Sequence, residues 1–378
     1  MLMKKQKISS SFFSKDKIRK YYLLNPGPVM VSEDVRNKLL LPDICHREVE
    51  FSDLYKDVSK KLNRVFKATP NFVSLVLTGS GTCAMEAIIS SCVRNKVLCI
   101  SNGGFGERWS EIISTYNIEK NWLKYSWGEY PKLKDIERIL KEDDEIDSVV
   151  MVYSETSTGM LNPVEKVGKL VKKHNKLFLV DAISALAVDD VNVKRDNIDF
   201  CASSSHKGIN SIPGLSIVCG KKRGFDELNK IKSRNFYCNL KNYYKFFNED
   251  GQTPSTPSIQ AFYSLDEALN ILINEGVKNR IERTKYHSTK IREELVNLDF
   301  KLLLNDHFSN GVTSVKIPKK GTYEKIHNYL KKKEFIIYNG KGHLKNRIFQ
   351  ISVMGCIDEN ILTKFLLAIK KMKKDLKL

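Results

Sequence analysis

Across residues 70–220, short apolar or β-branched runs alternate with stretches where apolar residues recur every three to four positions. The runs at 72–78, 97–101, 148–154, 177–180, 200–203 and 216–218 have the length and composition of buried strands. Between them, stretches such as 83–93 and 164–174 carry the helical period. Strands alternating with helices of this length predict an α/β fold, a parallel sheet covered by helices on both faces. From 258 to 294 the pattern becomes one long helical stretch, with Gly276 as its weak point. The expected organisation is a basic arm (1–20), a large domain (21–257), a connecting helix (258–294) and a small C-terminal α+β domain (295–378).

Composition changes this picture little. Apolar residues are 42% and charged residues 28% of the chain, as in ordinary globular proteins. No apolar run approaches the roughly 20 residues needed to span a bilayer. The N-terminus, MLMKKQKISSSFFSKDKIRKYY, has early lysines but no apolar segment after them. It reads as a basic arm and not as an export signal, so a cytoplasmic protein is expected. The 8 cysteines contain no CxxC pair, and the 7 histidines no HExxH. Reduced, buried thiols and no metal site are therefore expected. The net charge of +19 raises nucleic-acid binding as a rival function. Yet the lysines are dispersed and form no basic helix with interleaved aromatics, which fits solvated faces better. No nucleic-acid or membrane partner is expected; a positive field would still favour encounter with an anionic substrate.

Four segments that follow expected strands carry candidate chemistry, and the carboxyl ends of such strands are where open α/β sheets bind ligands. In LTGSGTCAMEAII a strand runs through Gly79-Ser80-Gly81-Thr82 straight into a helix. Amides at a helix start attract an anion, and the Ser80 and Thr82 hydroxyls add donors. A plain strand–turn–helix with Thr82 as N-cap reads equally well. In FLVDAIS, Asp181 closes an apolar strand, either to hold a cationic ring nitrogen or to cap the next element. In SSSHKG, Lys207 lies between two apolar strands, as a buried nucleophile or as a loop lysine reaching solvent. In SNGGFGERW, Phe105 is presented after a strand, to stack on a flat ring or to pack on the core.

Taken together, a phosphate turn, a stacking aromatic, an aspartate and a lysine one strand later are the parts of a pyridoxal 5'-phosphate site. The motifs LLNPGPVMVSEDVR, PDICHREVEF, LTGSGTCAMEA, SNGGFGERW, YSETSTGMLNP, VDAISALA, SSHKG and TPSTPSIQAFYSLDEAL extend this from Leu23 to the last helix. With them the chain resembles the class V aminotransferases of fold type I, and most of all the branch acting on 2-aminoethylphosphonate and pyruvate.

The resemblance implies a mixed, mostly parallel seven-stranded sheet and a homodimer with composite sites. It also implies roles for particular residues. Lys207 would form the Schiff base with the cofactor and move the proton during transfer, and Asp181 would pair with the pyridine N–H. Phe105 would stack on the ring, and Thr156 would bond the ring hydroxyl. Ser80, Gly81 and Thr82 would bind the phosphate, with Thr253 and Thr256 arriving from the neighbouring subunit. Asn25, His46 and Arg47 would line the substrate pocket, Arg47 against an anionic group or else paired with Glu48 or Glu50. The implied reaction converts a small anionic amine and a keto acid, with alanine–glyoxylate or serine–pyruvate chemistry as the alternative. A non-enzymatic basic binding protein is the rival from another class.

Two positions depart from the family. His206 stands before the lysine where an amide is usual, and histidine still donates to the phosphate side. In NRIFQISVMG, Gln350 occupies the place of the carboxylate-binding arginine, among the substrate-binding positions. Arg347 is three residues away, so on a strand it faces the opposite side.

Overall fold

The computed structural model describes residues 21–378. The expected basic arm, 1–20, lies outside the described residues. The central sheet has seven strands: β1 (Phe72–Thr78), β2 (Lys96–Ser101), β3 (Glu119–Lys124), β4 (Ile146–Val152), β5 (Leu177–Asp181), β6 (Phe200–Ser204) and β7 (Leu215–Lys221). Their order is β1-β7-β6-β5-β4-β2-β3. Only β7 runs antiparallel to its neighbours, so the sheet is mixed and mostly parallel, as expected.

Central strands are apolar on both faces because helices cover both. Along β1, Val73, Leu75 and Leu77 point to one side, against Ala84, Met85, Ile88, Trp109 and Ile113. Phe72 and Val76 point to the other, against Phe51, Tyr55, Leu62 and Phe262. The alternation follows from the two-residue period of a strand.

Three elements differ from the sequence expectation. Strand β3, EKNWLK, was not anticipated: it is the outer strand, half exposed, and its pattern lacks an apolar run. The expected strand 148–154 begins at Ile146 and stops at Val152, because Ser154–Glu155 turns aside to pair with Met160–Leu161. The long helical stretch is two helices, Ile259–Glu275 and Val277–Asn297, separated at Gly276 with φ +86. That left-handed backbone admits glycine readily and ends the first helix.

In the C-terminal part, β8 (Val312–Lys316), β9 (Tyr338–Asn339) and β10 (Ile348–Ser352) form an antiparallel sheet in the order β8-β10-β9. Ile326, Phe349, Phe365 and Ile369 share its core with Leu24. Tyr22–Leu23 pairs in parallel with Phe335–Ile336, and Ser352 N–H donates to the Leu24 carbonyl (2.7 Å). The N-terminal segment is thus anchored on the small sheet, and the next residues reach Lys207.

Of the cysteines, Cys92, Cys99, Cys201 and Cys219 are buried, while Cys45 is exposed and Cys83, Cys238 and Cys356 are partly so. The expectation of burial fails for these four, which lie outside the strands and at helix starts or in loops. Cys83 and Cys238 bring their sulfurs to 3.5 Å. Among the described residues no helix is long and apolar enough to cross a membrane.

Candidate active site

A cavity of about 460 Å³ opens at the carboxyl ends of the parallel strands. Its walls come from the turns after β1, β2, β4, β5 and β6, from Pro26–Pro28, and from Tyr338–Lys341 and Gln350 of the small sheet.

Lys207 lies in the turn from β6 back to β7, and its ammonium donates to the Pro26 carbonyl. A Cβ on Gly27, whose φ is +140, would stand 2.8 Å from Lys207 Cε. Glycine is what lets the N-terminal loop close over the lysine. Burial lowers the lysine pKa to about 8; Asp181 opposes the shift and Arg108 adds to it. This is a lysine of the cavity and not a loop lysine reaching solvent.

Asp181 is the last residue of β5 and is 3% exposed. Burial raises its pKa to about 7, against a hydrogen bond from the backbone of Ile183. Ile183 N–H donates to Asp181 Oδ1 (2.8 Å), so one oxygen shapes the next turn. The other has no hydrogen-bond partner among the described residues, and the side chain lines the cavity. Both roles considered for this aspartate are therefore compatible.

The helix Gly81–Cys92 begins at the cavity wall with Ser80, not Thr82, in the N-cap position, and the Ser80 side chain makes no capping bond. Its hydroxyl and the first helix amides are left for an anion. A Cβ on Gly81 would be 2.5 Å from Ile183 Cδ1, so this turn fits closely over the one that follows Asp181. Thr82 Oγ1 accepts from Arg108 Nη1 (3.2 Å).

Phe105 lies in the first turn of the helix Gly104–Thr115. The carboxylate of Glu155, fully buried, accepts from the amides of Phe105 (3.2 Å), Gly106 (2.9 Å) and Ser157 (3.0 Å). An anion at a helix start is favoured by the helix dipole and by the free N–H groups. Glu155 thereby fixes the angle at which Phe105 enters the cavity, while the ring also packs on the core. The Arg108 guanidinium lies 4.9 Å and the Lys341 ammonium 4.7 Å from the ring centroid.

Thr156 is buried, and its hydroxyl is 2.6 Å from Ser184 Oγ. His206 lines the cavity. Burial, helped by Lys207, holds its pKa down at about 4, so the ring is neutral near pH 7. Its Nδ1 is buried without a hydrogen-bond partner, an unusual cost unless a ligand meets it. Gln350, 2% exposed, donates through Nε2 to the carbonyls of Thr156 (2.7 Å) and Ser157 (3.2 Å) and to Ser314 Oγ (2.9 Å).

Five expected positions do not line the cavity of this chain. Arg47 donates to Gln252 Oε1 (3.0 Å) and to the carbonyls of Thr253 (2.7 Å) and Pro254 (3.2 Å). It neither lines this cavity nor pairs with Glu48 or Glu50; three acceptors on one turn hold it instead. His46, beside it, has its pKa lowered by burial and by Arg47. Thr253 is buried, with its hydroxyl donating to the Ser255 carbonyl (2.8 Å), whereas Thr256 is exposed. Asn25, expected in the pocket lining, precedes the Pro26–Pro28 wall without lining the cavity and donates to the Pro28 carbonyl (3.0 Å), bracing the loop. Arg347 is exposed and off the cavity, but it lies in the turn before β10, outside the strand whose period was expected to turn it away.

Sequence reasoning did not assign Arg108, Lys341, Glu155 or Ser184. Arg108 had a signal, since it stands three residues after Phe105 on a helix and shares its face. Lys341 had none, because it reaches the cavity from the small sheet.

A buried lysine, a carboxylate at a strand end, an aromatic plate and a helix start bearing unused donors suit a flat cationic ring carrying a phosphate. With the sheet order, they define a pyridoxal-phosphate-dependent transferase of fold type I. The chain belongs to the class-V aminotransferase family, whose family model matches residues 38–353. It is 35% identical to an uncharacterised aminotransferase of Methanocaldococcus jannaschii over 94% of both chains. It is 30% identical to a 2-aminoethylphosphonate–pyruvate transaminase of Bacillus cereus, over 93% of this chain and 97% of that one. The solved structure of an alanine–glyoxylate aminotransferase from Nostoc superposes with a TM-score of 0.88 at 24% identity, covering 94% of this chain and 96% of that one. The protein is thus a pyridoxal-phosphate-dependent aminotransferase, working on a small amine and a keto acid.

Proposed function

We propose that the chain transfers the amino group of 2-aminoethylphosphonate to pyruvate, reversibly, giving phosphonoacetaldehyde and alanine. The observation that carries this reading is the charge of the cavity. Arg108, Lys207 and Lys341 line it beside a single carboxylate, Asp181, and Gln350 stands where the resemblance expects a guanidinium for a carboxylate. An amine whose only anion is a distal phosphonate needs no carboxylate clamp beside the amino group, whereas the pyruvate carboxylate would rely on the remaining cavity cations. The name of the Bacillus cereus relative points the same way.

The bound cofactor supplies an electron sink for the carbon that loses its proton. In this reading Lys207 anchors the cofactor and carries that proton, and Asp181 holds the ring nitrogen protonated. Phe105 sets the ring plane, Thr156 meets the ring hydroxyl, and Ser80, Gly81, Thr82 and His206 receive the phosphate. Asn25 and the loop it braces wall off the substrate side. Mixing the holoenzyme with single amines in the absence of keto acid tests the donor. We expect 2-aminoethylphosphonate to discharge the visible absorption at least about tenfold faster than alanine or serine at equal concentration. Faster reaction with alanine or serine would favour the alanine–glyoxylate or serine–pyruvate alternative.

The reading includes a homodimer in which Thr253 and Thr256 reach the phosphate of the partner site, with Arg47 holding their turn. The exposure of Thr256 and of the apolar Leu40 and Phe236, 85% and 87% exposed, supports it, because a partner would cover such surface. Thr256→Ala should leave the melting temperature of the cofactor-free protein unchanged and weaken cofactor retention about ten- to a hundredfold, one hydrogen bond to a charged group being worth about 1.5–3 kcal/mol. A fully active monomer in sedimentation would sink the composite site.

A further inference from the structure

The cavity holds more positive charge than its own residues neutralise, and one cation has no assigned purpose. Gln350 offers an anion nothing: its amide nitrogen already serves the Thr156 and Ser157 carbonyls and the Ser314 hydroxyl. Arg108 is engaged on the cradle side through Thr82, and Lys207 faces the Pro26 carbonyl. His206 is neutral near pH 7. Lys341 remains. Its ammonium leans over the Phe105 ring, and no carboxylate among the described residues lies within ion-pair distance. The residue is exposed at the cavity rim; desolvation, and then the charge of Arg108, lowers its pKa, while the more distant Glu155 and Glu111 carboxylates oppose the shift. Two cations thus face one ring with no carboxylate paired to either, an arrangement that an anionic ligand would relieve.

We propose that Lys341 is the specificity-determining residue of the substrate pocket, receiving the distal phosphonate of the amine. This rests on the phosphonate reading given above. The placement follows from the fold. Arg108 and Lys341 approach Phe105 from different parts of the chain, Arg108 from the helix of the large sheet and Lys341 from the turn after β9 of the small sheet. The cofactor phosphate would fall to the first and the substrate anion to the second. The chemistry favours phosphonate over carboxylate. A guanidinium fork suits carboxylate and phosphonate alike, whereas an ammonium is a compact point charge that donates to a tetrahedral group in many orientations and gains more from a dianion than from a singly charged carboxylate.

The test uses the holoenzyme with methylphosphonate, a non-reacting dianion, measured by calorimetry, alongside steady-state kinetics with 2-aminoethylphosphonate. Lys341→Met should weaken methylphosphonate about thirtyfold, as expected for a charge-assisted hydrogen bond. It should raise KM for the amine by a similar factor and change kcat less than threefold. Lys341→Arg should restore at least a third of the lost affinity, and Lys345→Met, an exposed neighbour, should match the wild type. Lys341→Met that binds methylphosphonate and turns over the amine within threefold of wild type overturns the assignment of Lys341 alone. Wild-type holoenzyme that neither binds methylphosphonate nor reacts with the amine overturns the phosphonate reading and this proposal together.

Discussion

Lys207→Ala is expected to abolish turnover, by at least about 10⁴-fold, with the melting temperature of the protein little changed. The size follows from two tasks resting on one amine. The side chain is enclosed by the Gly27 loop and its pKa is lowered to about 8. At about pH 7.5 roughly a quarter of such lysines are neutral and nucleophilic, against about one in a thousand at the ordinary pKa. Removing the amine removes the anchoring nucleophile and also the base that carries the proton, a contribution of 10²–10⁴ by itself. Lys207→Arg keeps the charge but has no free amine, so it should be equally inactive. Borohydride reduction of the wild type should fix the cofactor on the peptide containing Lys207, read by mass spectrometry. Turnover of Lys207→Ala within tenfold of wild type would remove the lysine from the reaction.

How much of this was legible in the sequence depends on how local each signal is. The Ser80–Thr82 turn, Asp181 and Lys207 each follow a buried strand, and a strand end followed by a turn is a short-range pattern. The structure brings all three to one cavity. Strand β3 was illegible because an edge strand with one exposed face writes no apolar run. Gly276 was noticed as a weak point, yet periodicity on both sides of it concealed a full break between two helices. Arg47 shows a different limit. Its neighbours in sequence, Glu48 and Glu50, suggested ion pairs, but its partners lie more than two hundred residues away, at Gln252, Thr253 and Pro254. Gln350 was recognised as a departure, whereas its consequence needed coordinates. Only they show its donors committed to Thr156, Ser157 and Ser314, with Lys341 arriving from the turn after the strand beside it. Charge that crosses from one sheet to another leaves no pattern along the chain.

Replacing Asp181 should have the second-largest effect, and its pH dependence separates a ring partner from a mere cap. The carboxyl lies buried at the end of β5, and burial holds its pKa up at about 7. A protonated ring nitrogen is the cation that would repay that desolvation. Asp181→Ala should therefore slow the amino-transfer half-reaction by about 10³-fold or more, roughly 4 kcal/mol at 1.36 kcal/mol per tenfold. A loss under tenfold would leave Asp181 as no more than the acceptor for Ile183 N–H. The sign of the pH effect follows from which form binds. Below about pH 7 the carboxyl of the cofactor-free protein takes up a proton, and pairing with the ring must release it. Wild-type affinity for the cofactor should then fall by up to tenfold per pH unit between about pH 7 and 5, and level off above 7. Asp181→Asn keeps the shape and can still accept from Ile183 N–H, but it has no proton to release in this range. Cofactor affinity measured by fluorescence quenching on both proteins isolates the contribution, since every other titrating group is shared. The ratio of wild-type to Asp181→Asn affinity should shrink as pH falls from 7 to 5. A ratio that stays constant over that range would show that ionised Asp181 does not face the ring nitrogen.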